Sequence, residues 1–199
     1  MKAITNLWRN VYLKLGQVDF GNPHDDKAIK TSMRPKDYPS QANMILANFP
    51  VLSSVLEIGC GYGGLANEIL NRISVSYTVV ENRLMLNQAK RFLGDRAEYV
   101  AAAKIKNLRN REFTLFISNF CLSETPFEYR EYVINNILKN CKKAFIIDYR
   151  DAAKPTAKMK KDGWDMDVLN TEKMLKKYFS IHEIMHSHAR SIFIGERKK

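Results

Sequence analysis

The stretch that most constrains this chain is Val55–Gly64, Val-Leu-Glu-Ile-Gly-Cys-Gly-Tyr-Gly-Gly, in which a short apolar run leads into four glycines. The apolar residues predict a buried strand of a parallel sheet that is covered on both faces. The glycines let the backbone turn sharply and approach a ligand closely. Leucine and isoleucine then recur at helical spacing, which predicts a helix directly after the glycines. A strand, a glycine turn and a helix N-terminus together predict a cradle for a nucleotide-like ligand.

Two ligand classes fit such a cradle. Gly59-x-Gly61-x-x-Gly64 matches the dinucleotide-binding fingerprint, and Glu81 follows at a suitable distance for a ribose contact. A competing interpretation rests on Glu57, a carboxylate inside the apolar strand. A buried carboxylate needs a partner, which the cationic amino-acid end of a ligand would supply and a pyrophosphate would not. The sequence therefore favours a cationic ligand over a dinucleotide, while a glycine turn that merely packs a helix on a sheet is the third interpretation.

The pattern Glu-x-Gly-x-Gly-x-Gly, residues 57–63, resembles motif I of the class I S-adenosylmethionine (SAM) methyltransferases. The resemblance covers about residues 50–196 and implies SAM as the cofactor. It also implies a Rossmann-like α/β fold with seven strands, parallel except for one antiparallel strand in a C-terminal hairpin, and helices on both faces. Residues 1–50 are then a helical and loop extension on the substrate side, and residues 51–199 are the SAM-binding domain. The expected cofactor-binding residues are Glu57, Gly59, Cys60, Gly61, Tyr62, Gly63, Glu81, Asn82, Asn119 and Phe120.

Ligands of an open α/β sheet bind beyond the carboxyl ends of the strands, so the residues that follow the predicted strands line one crevice. Methyl transfer from SAM is an in-line displacement that depends on alignment of the two reactants. An alcohol acceptor needs a base as well. Glu124, after the fourth strand, is the first candidate for that base, although a carboxylate there also suits a helix start. Asp148, after the fifth strand, is the second candidate, and His24, in the proline-containing loop of residues 19–39, is the third.

Two stretches are similar to a narrower family, the sugar O-methyltransferases of bacterial surface-glycan clusters. They are Leu56–Ala66 and the run Asn119-Phe120-Cys121-Leu122-Ser123-Glu124. This resemblance implies methyl transfer to a saccharide hydroxyl in polysaccharide biosynthesis. RNA or a small molecule as the acceptor, and a SAM-binding module without catalysis, are the alternatives.

Two further patterns affect the expected ligands. Many class members place an acidic residue after strand three to hold the adenine amino group, but residues 101–104 are Ala-Ala-Ala-Lys, so backbone groups would have to serve. His182-Glu183-Ile184-Met185-His186 matches a zinc-protease motif that requires a helix. Phe179 and Ile181 predict a strand instead, in which the two histidines lie about 13 Å apart. We therefore expect no metal.

The net charge of +11 raises the question of anionic partners. It suits RNA, an acidic glycan, an anionic membrane face, or a solvated surface without a partner. Its even spread, and the absence of a Pro-Pro-aromatic signature after strand four, disfavour nucleic acid relative to a small-molecule or saccharide acceptor. No apolar run is long enough to span a bilayer. Three widely spaced cysteines indicate reduced thiols and a cytoplasmic location.

Overall fold

A computed structural model describes residues 38–125, 127–149, 173–187 and 190–198, with the side chains of 123, 124, 127, 149, 182–187, 190 and 191 outside the description. These residues form one sheet of seven strands. The strands are β1 (Ser54–Ile58), β2 (Ser76–Glu81), β3 (Glu98–Ala101), β4 (Phe113–Asn119), β5 (Cys141–Tyr149), β6 (Phe179–Ser187) and β7 (Arg190–Arg197). The helices are α1 (Tyr38–Asn48), α2 (Gly64–Leu70), α3 (Arg83–Leu93), α4 (Cys121–Glu124) and α5 (Phe127–Asn136).

The strand order is β3-β2-β1-β4-β5-β7-β6. Strands β1 to β5 run parallel. Strand β7 is antiparallel to both of its neighbours, β5 and β6. The predicted seven-stranded sheet with one antiparallel strand in a C-terminal hairpin is thereby confirmed.

Helices cover both faces of the sheet and bury two separate apolar cores. On one face, here called the α1 face, helices α1, α2 and α3 pack against the sheet. On the other, the α5 face, lie α5, a 3-10 segment at Ala102–Leu108 and the helical residues 173–176. The central strands therefore have no solvent-facing side, and this explains why they read in the sequence as continuous apolar runs.

Strand β1 shows how the two cores divide one run of residues. Successive side chains of a strand point to opposite faces. Val55 belongs to the core of the α1 face, whereas Leu56 and Ile58 belong to the core of the α5 face. The same alternation directs Glu57 to the α1 face, where its position in β1 buries it almost completely.

Several expectations can be compared with the described residues. The zinc-protease pattern lies in β6, so the strand interpretation of residues 182–186 is confirmed, with a register irregularity between Glu183 and Met185. The three cysteines are free thiols. Within the described part of the chain, no helix combines the length and apolarity needed to cross a membrane. His24 lies outside the described residues, and the domain division at residue 50 stays a prediction.

Candidate functional site

The glycine loop between β1 and α2 has the conformation that its sequence predicts. Gly59, Gly61 and Gly63 all have positive φ, at 80°, 57° and 93°. A Cβ at Gly59 would collide with Cys121, which follows β4. A Cβ at Gly61 would meet no atom of the described residues within 4 Å. The backbone here turns tightly against the end of β4, and no described residue crowds the Cα of Gly61.

Glu81, at the carboxyl end of β2, is bound to this loop. One carboxylate oxygen accepts a hydrogen bond from the Gly61 N–H at 2.8 Å, and the other accepts from the Asn82 N–H at 2.8 Å. These two bonds fix the Glu81 carboxylate beside the glycine loop. The neighbouring Asn82 is the N-cap of α3, since its side chain accepts from the Met85 N–H at 3.0 Å.

Glu57 is almost completely buried, at 1% exposure. The Tyr77 hydroxyl on β2 donates a hydrogen bond to it at 2.8 Å. No Lys or Arg of the described residues forms an ion pair with Glu57. Burial, together with the nearby charge of Glu81, outweighs the Tyr77 bond and raises the pKa of Glu57 from 4.5 to about 7. The carboxyl group is therefore poised to ionise near neutral pH when a cation approaches.

The carboxyl end of β4 carries a hydrogen bond between distant parts of the sequence. The Asn119 side-chain amide donates to Gln41 Oε1 of α1 at 2.8 Å. Asn119 Oδ1 is buried and has no hydrogen-bond partner among the described residues. A buried acceptor without a donor costs on the order of 1–3 kcal/mol. The site thus holds an acceptor whose donor the described protein atoms do not supply.

Phe120 follows immediately with φ at 57°, the only positive value among the described non-glycine residues. Its backbone N–H donates to the Ile147 carbonyl of β5 at 2.7 Å. Left-handed backbone costs a residue with a Cβ about 1–2 kcal/mol and is held only where its surroundings fix it. The left-handed conformation of Phe120 turns the chain sharply from β4 into α4.

The remaining predicted residues lie around the same edge. Cys60 and Tyr62 are buried in the glycine loop, and the Tyr62 ring contacts the rings of Tyr38 and Phe92 edge-on. Glu124 is the last residue of α4, directly after the end of β4. Asp148 lies near the end of β5 at 1% exposure. The described residues that the sequence assigned to the site therefore all lie at or just after the carboxyl ends of four strands, β1, β2, β4 and β5.

Three residues of the site have no motif in the sequence. Gln41 and Tyr77 contact Asn119 and Glu57 from elements that read as an ordinary helix and an apolar strand. Arg130 of α5 is fully buried and donates to the Thr125 carbonyl at 3.0 Å, which fixes the turn just after Glu124. A basic residue inside an otherwise apolar helix face is the one signal that could have identified Arg130.

Known proteins give a structural match without a sequence match. No protein-family model matches the chain, and a search of curated proteins gave no significant match. An O-methyltransferase family protein from Burkholderia thailandensis is 14% identical with a TM-score of 0.67. That match covers 87% of this chain and 60% of the other, so this chain spans less than two thirds of that protein.

Two further solved structures are similar over most of both chains. The N-methyltransferase NodS from Bradyrhizobium japonicum WM9, solved with S-adenosyl-L-homocysteine (SAH), is 14% identical with a TM-score of 0.68, covering 88% of this chain and 94% of NodS. The N-terminal domain of EvdMO1, crystallised in the presence of SAH and D-fucose, is 12% identical with a TM-score of 0.60, covering 90% and 85%. At these identities the comparisons establish the fold, which is the Rossmann-like fold of the class I methyltransferases.

The raised pKa of Glu57 makes the folding stability depend on pH. Below the unfolded pKa of 4.5 both states are protonated, and above the folded pKa of about 7 both are ionised. Between these values the folded state binds more protons, so stability falls as pH rises, by about 3 kcal/mol over the window. We expect Glu57→Gln to remove this fall. Urea unfolding of both proteins from pH 4.5 to 8 measures it, and parallel stability curves would contradict the assignment.

The backbone strain at Phe120 predicts an inverted preference between two small residues. Phe120→Ala and Phe120→Gly both delete the ring, but only glycine adopts a positive φ without cost, so the glycine variant should be more stable by about 1 kcal/mol. The matched control is Phe92 in α3, half-exposed and helical, where glycine should be less stable than alanine by about 1 kcal/mol. Chemical denaturation measures the stability of all four variants. If alanine is more stable than glycine at position 120, as it should be at position 92, the Phe120 backbone is not strained.

Proposed function

We propose that this chain is a SAM-dependent methyltransferase that transfers a methyl group to a hydroxyl of a saccharide. The observation that carries the proposal is the strand order, with antiparallel β7 inserted between β5 and β6. A doubly wound dinucleotide-binding sheet has the order 3-2-1-4-5-6 instead. The glycine fingerprint by itself fits both ligand classes. Because it lies in a sheet with the methyltransferase strand order, it favours SAM over a dinucleotide.

The described residues suit SAM as the cofactor. Glu57 has no cationic partner in the described chain, and Asn119 Oδ1 has no donor, so both fit a ligand that carries an ammonium group. The Glu81 carboxylate is fixed beside Gly61, where an added Cβ would contact none of the described residues, and this position suits a ribose with two hydroxyls. Bound there, SAM would supply an electrophilic methyl carbon. The protein's own part is to align the two reactants and exclude water.

Support for a hydroxyl acceptor comes from the stretch that follows β4. Its residues 119–124 resemble those of sugar O-methyltransferases, and a structural neighbour was crystallised in the presence of D-fucose. In this proposal Glu124 accepts the hydroxyl proton, since α4 starts at the end of β4 and Arg130 fixes the turn behind it. Asp148, buried near the end of β5, and His24 are the second and third candidates for the base.

The cofactor class can be tested by ligand stabilisation. We expect SAM and SAH to raise the melting temperature, because a ligand that binds only the folded state stabilises it in proportion to the logarithm of its concentration. NAD should give no shift. Stabilisation by NAD without any by SAM or SAH would contradict the proposal. Incubation with methyl-labelled SAM and D-fucose or nucleotide sugars then tests the acceptor class, with RNA as the alternative acceptor.

The role of Glu124 is tested by Glu124→Gln against Glu128→Gln. Glu128 is exposed in the first turn of α5 and is chemically matched. If Glu124 is the base, its variant should lose about 10²–10⁴-fold in kcat and keep its affinity for SAH. The Glu128 variant should retain wild-type kcat. Unchanged turnover in the Glu124 variant would remove this residue from the mechanism, and the absence of turnover in the wild type with every acceptor class would favour a binding module.

A further inference from the structure

The hydrogen bond between Gln41 and Asn119 joins helix α1 to the end of β4, across 78 residues of sequence. Helix α1 packs on the α1 face through Ala42 and Ile45, both fully buried. Gln41 precedes Ala42 and reaches the carboxyl edge of the sheet. The contact therefore belongs to a firmly packed helix.

An asparagine side chain has two chemically different ends, and its hydrogen bonds decide which way it points. Gln41 presents its accepting Oε1, and in this orientation it holds the donating nitrogen of Asn119 toward α1. The carbonyl oxygen Oδ1 is then directed away from Gln41, into a buried position without a donor among the described residues. Without Gln41, this amide could turn over and present its nitrogen instead.

Asn119 and Glu57 project from neighbouring strands to the same face. Glu57 is in register with Ile117 of β4, two residues before Asn119, so Asn119 lies about 7 Å nearer the carboxyl edge. Ile117 packs in the core of the α1 face, and alternation along β4 puts Asn119 on that face too. Two acceptors, one carboxylate and one amide oxygen, thus lie along one line beside the glycine loop.

We propose that Gln41 is a positioning residue: by fixing the Asn119 amide, it holds Asn119 Oδ1 as an acceptor for the ammonium group of the cofactor's amino-acid end. This inference rests on the proposed function, because it assumes the SAM class of ligand. An ammonium has three donors, so it can satisfy Asn119 Oδ1 and still meet other acceptors. Gln41 itself does not need to touch the ligand.

The test compares two nucleosides that differ in the amino-acid end. SAH carries that end, and 5′-methylthioadenosine lacks it. Gln41→Met keeps the length of the side chain and removes the acceptor, so we expect SAH to bind about five- to tenfold more weakly while 5′-methylthioadenosine binds within twofold of wild type. Asn43→Ala, exposed on the same helix, should change neither affinity. Isothermal titration calorimetry measures all three proteins.

A second background separates positioning from general damage to α1. Asn119→Asp offers an acceptor at both ends of the side chain, so its orientation no longer matters. In the Asn119→Asp background we expect Gln41→Met to have no effect on SAH affinity. With Asn119 intact, Gln41→Glu keeps an acceptor for the Asn119 nitrogen, so we expect it to bind SAH no more weakly than wild type. This double-mutant cycle isolates the coupling between the two residues.

The outcomes are distinct. Equal weakening of both nucleosides by Gln41→Met, no weakening of either, or a full Gln41→Met effect in the Asn119→Asp background would overturn the positioning role. Wild-type protein that binds neither nucleoside would instead contradict the SAM class itself. If Gln41→Met does not fold, the Gln41→Glu variant and the Asn119→Asp background still decide, because loss of SAH affinity in Gln41→Glu contradicts the inference.

Discussion

The burial of one carboxylate governs the arrangement of this site. Glu57 lies in β1, a strand that is covered on both faces, so its charge cannot reach water. An isolated buried carboxylate is costly enough that proteins either pair it or let it take up a proton. Here the hydrogen bond from the Tyr77 hydroxyl stabilises the charged form only in part, so the pKa of Glu57 rises to about 7. A group balanced between its charged and neutral forms responds strongly to a cation, and in the proposed function this property links the fold of β1 to the cofactor.

The surrounding elements enclose that carboxylate closely. Helices α1, α2 and α3 fill the α1 face with apolar side chains, and β4 closes against Gly59 through Cys121. Beside Gly61, whose N–H donates to Glu81, an added Cβ would contact none of the described residues. In the proposed function, a ligand beside Gly61 would lie near the carboxylates of Glu57 and Glu81 and the amide oxygen of Asn119. Such a set of acceptors suits a zwitterionic nucleoside better than a pyrophosphate, whose negative charges would face Glu57 and Glu81.

The sequence predicted the sheet well because its strands are buried on both faces and read as continuous apolar runs. It also placed the glycine loop and Glu81, since their spacing is local. The sequence did not identify Gln41 as a site residue, because its partner Asn119 is 78 residues away and only the packing of α1 brings the two together. It did not identify Tyr77 either, because a tyrosine in a strand reads as an apolar residue, although its hydroxyl is the partner of Glu57. Contacts between residues that are distant in sequence produce no regular spacing pattern, so a single sequence does not reveal them.

Departures from ordinary packing are concentrated where β4 ends. Asn119 has a buried oxygen without a donor among the described residues, Phe120 has a left-handed backbone, and Ser118, also fully buried, has a hydroxyl without a described partner. Each departure costs free energy, and three in consecutive residues are unexpected in a strand that is otherwise fully packed. Sequences that specify a fold are consistent at most positions, and their local exceptions collect at functional sites. The costly features therefore collect at the end of β4, beside the glycine loop, as expected if this is the binding site that we propose.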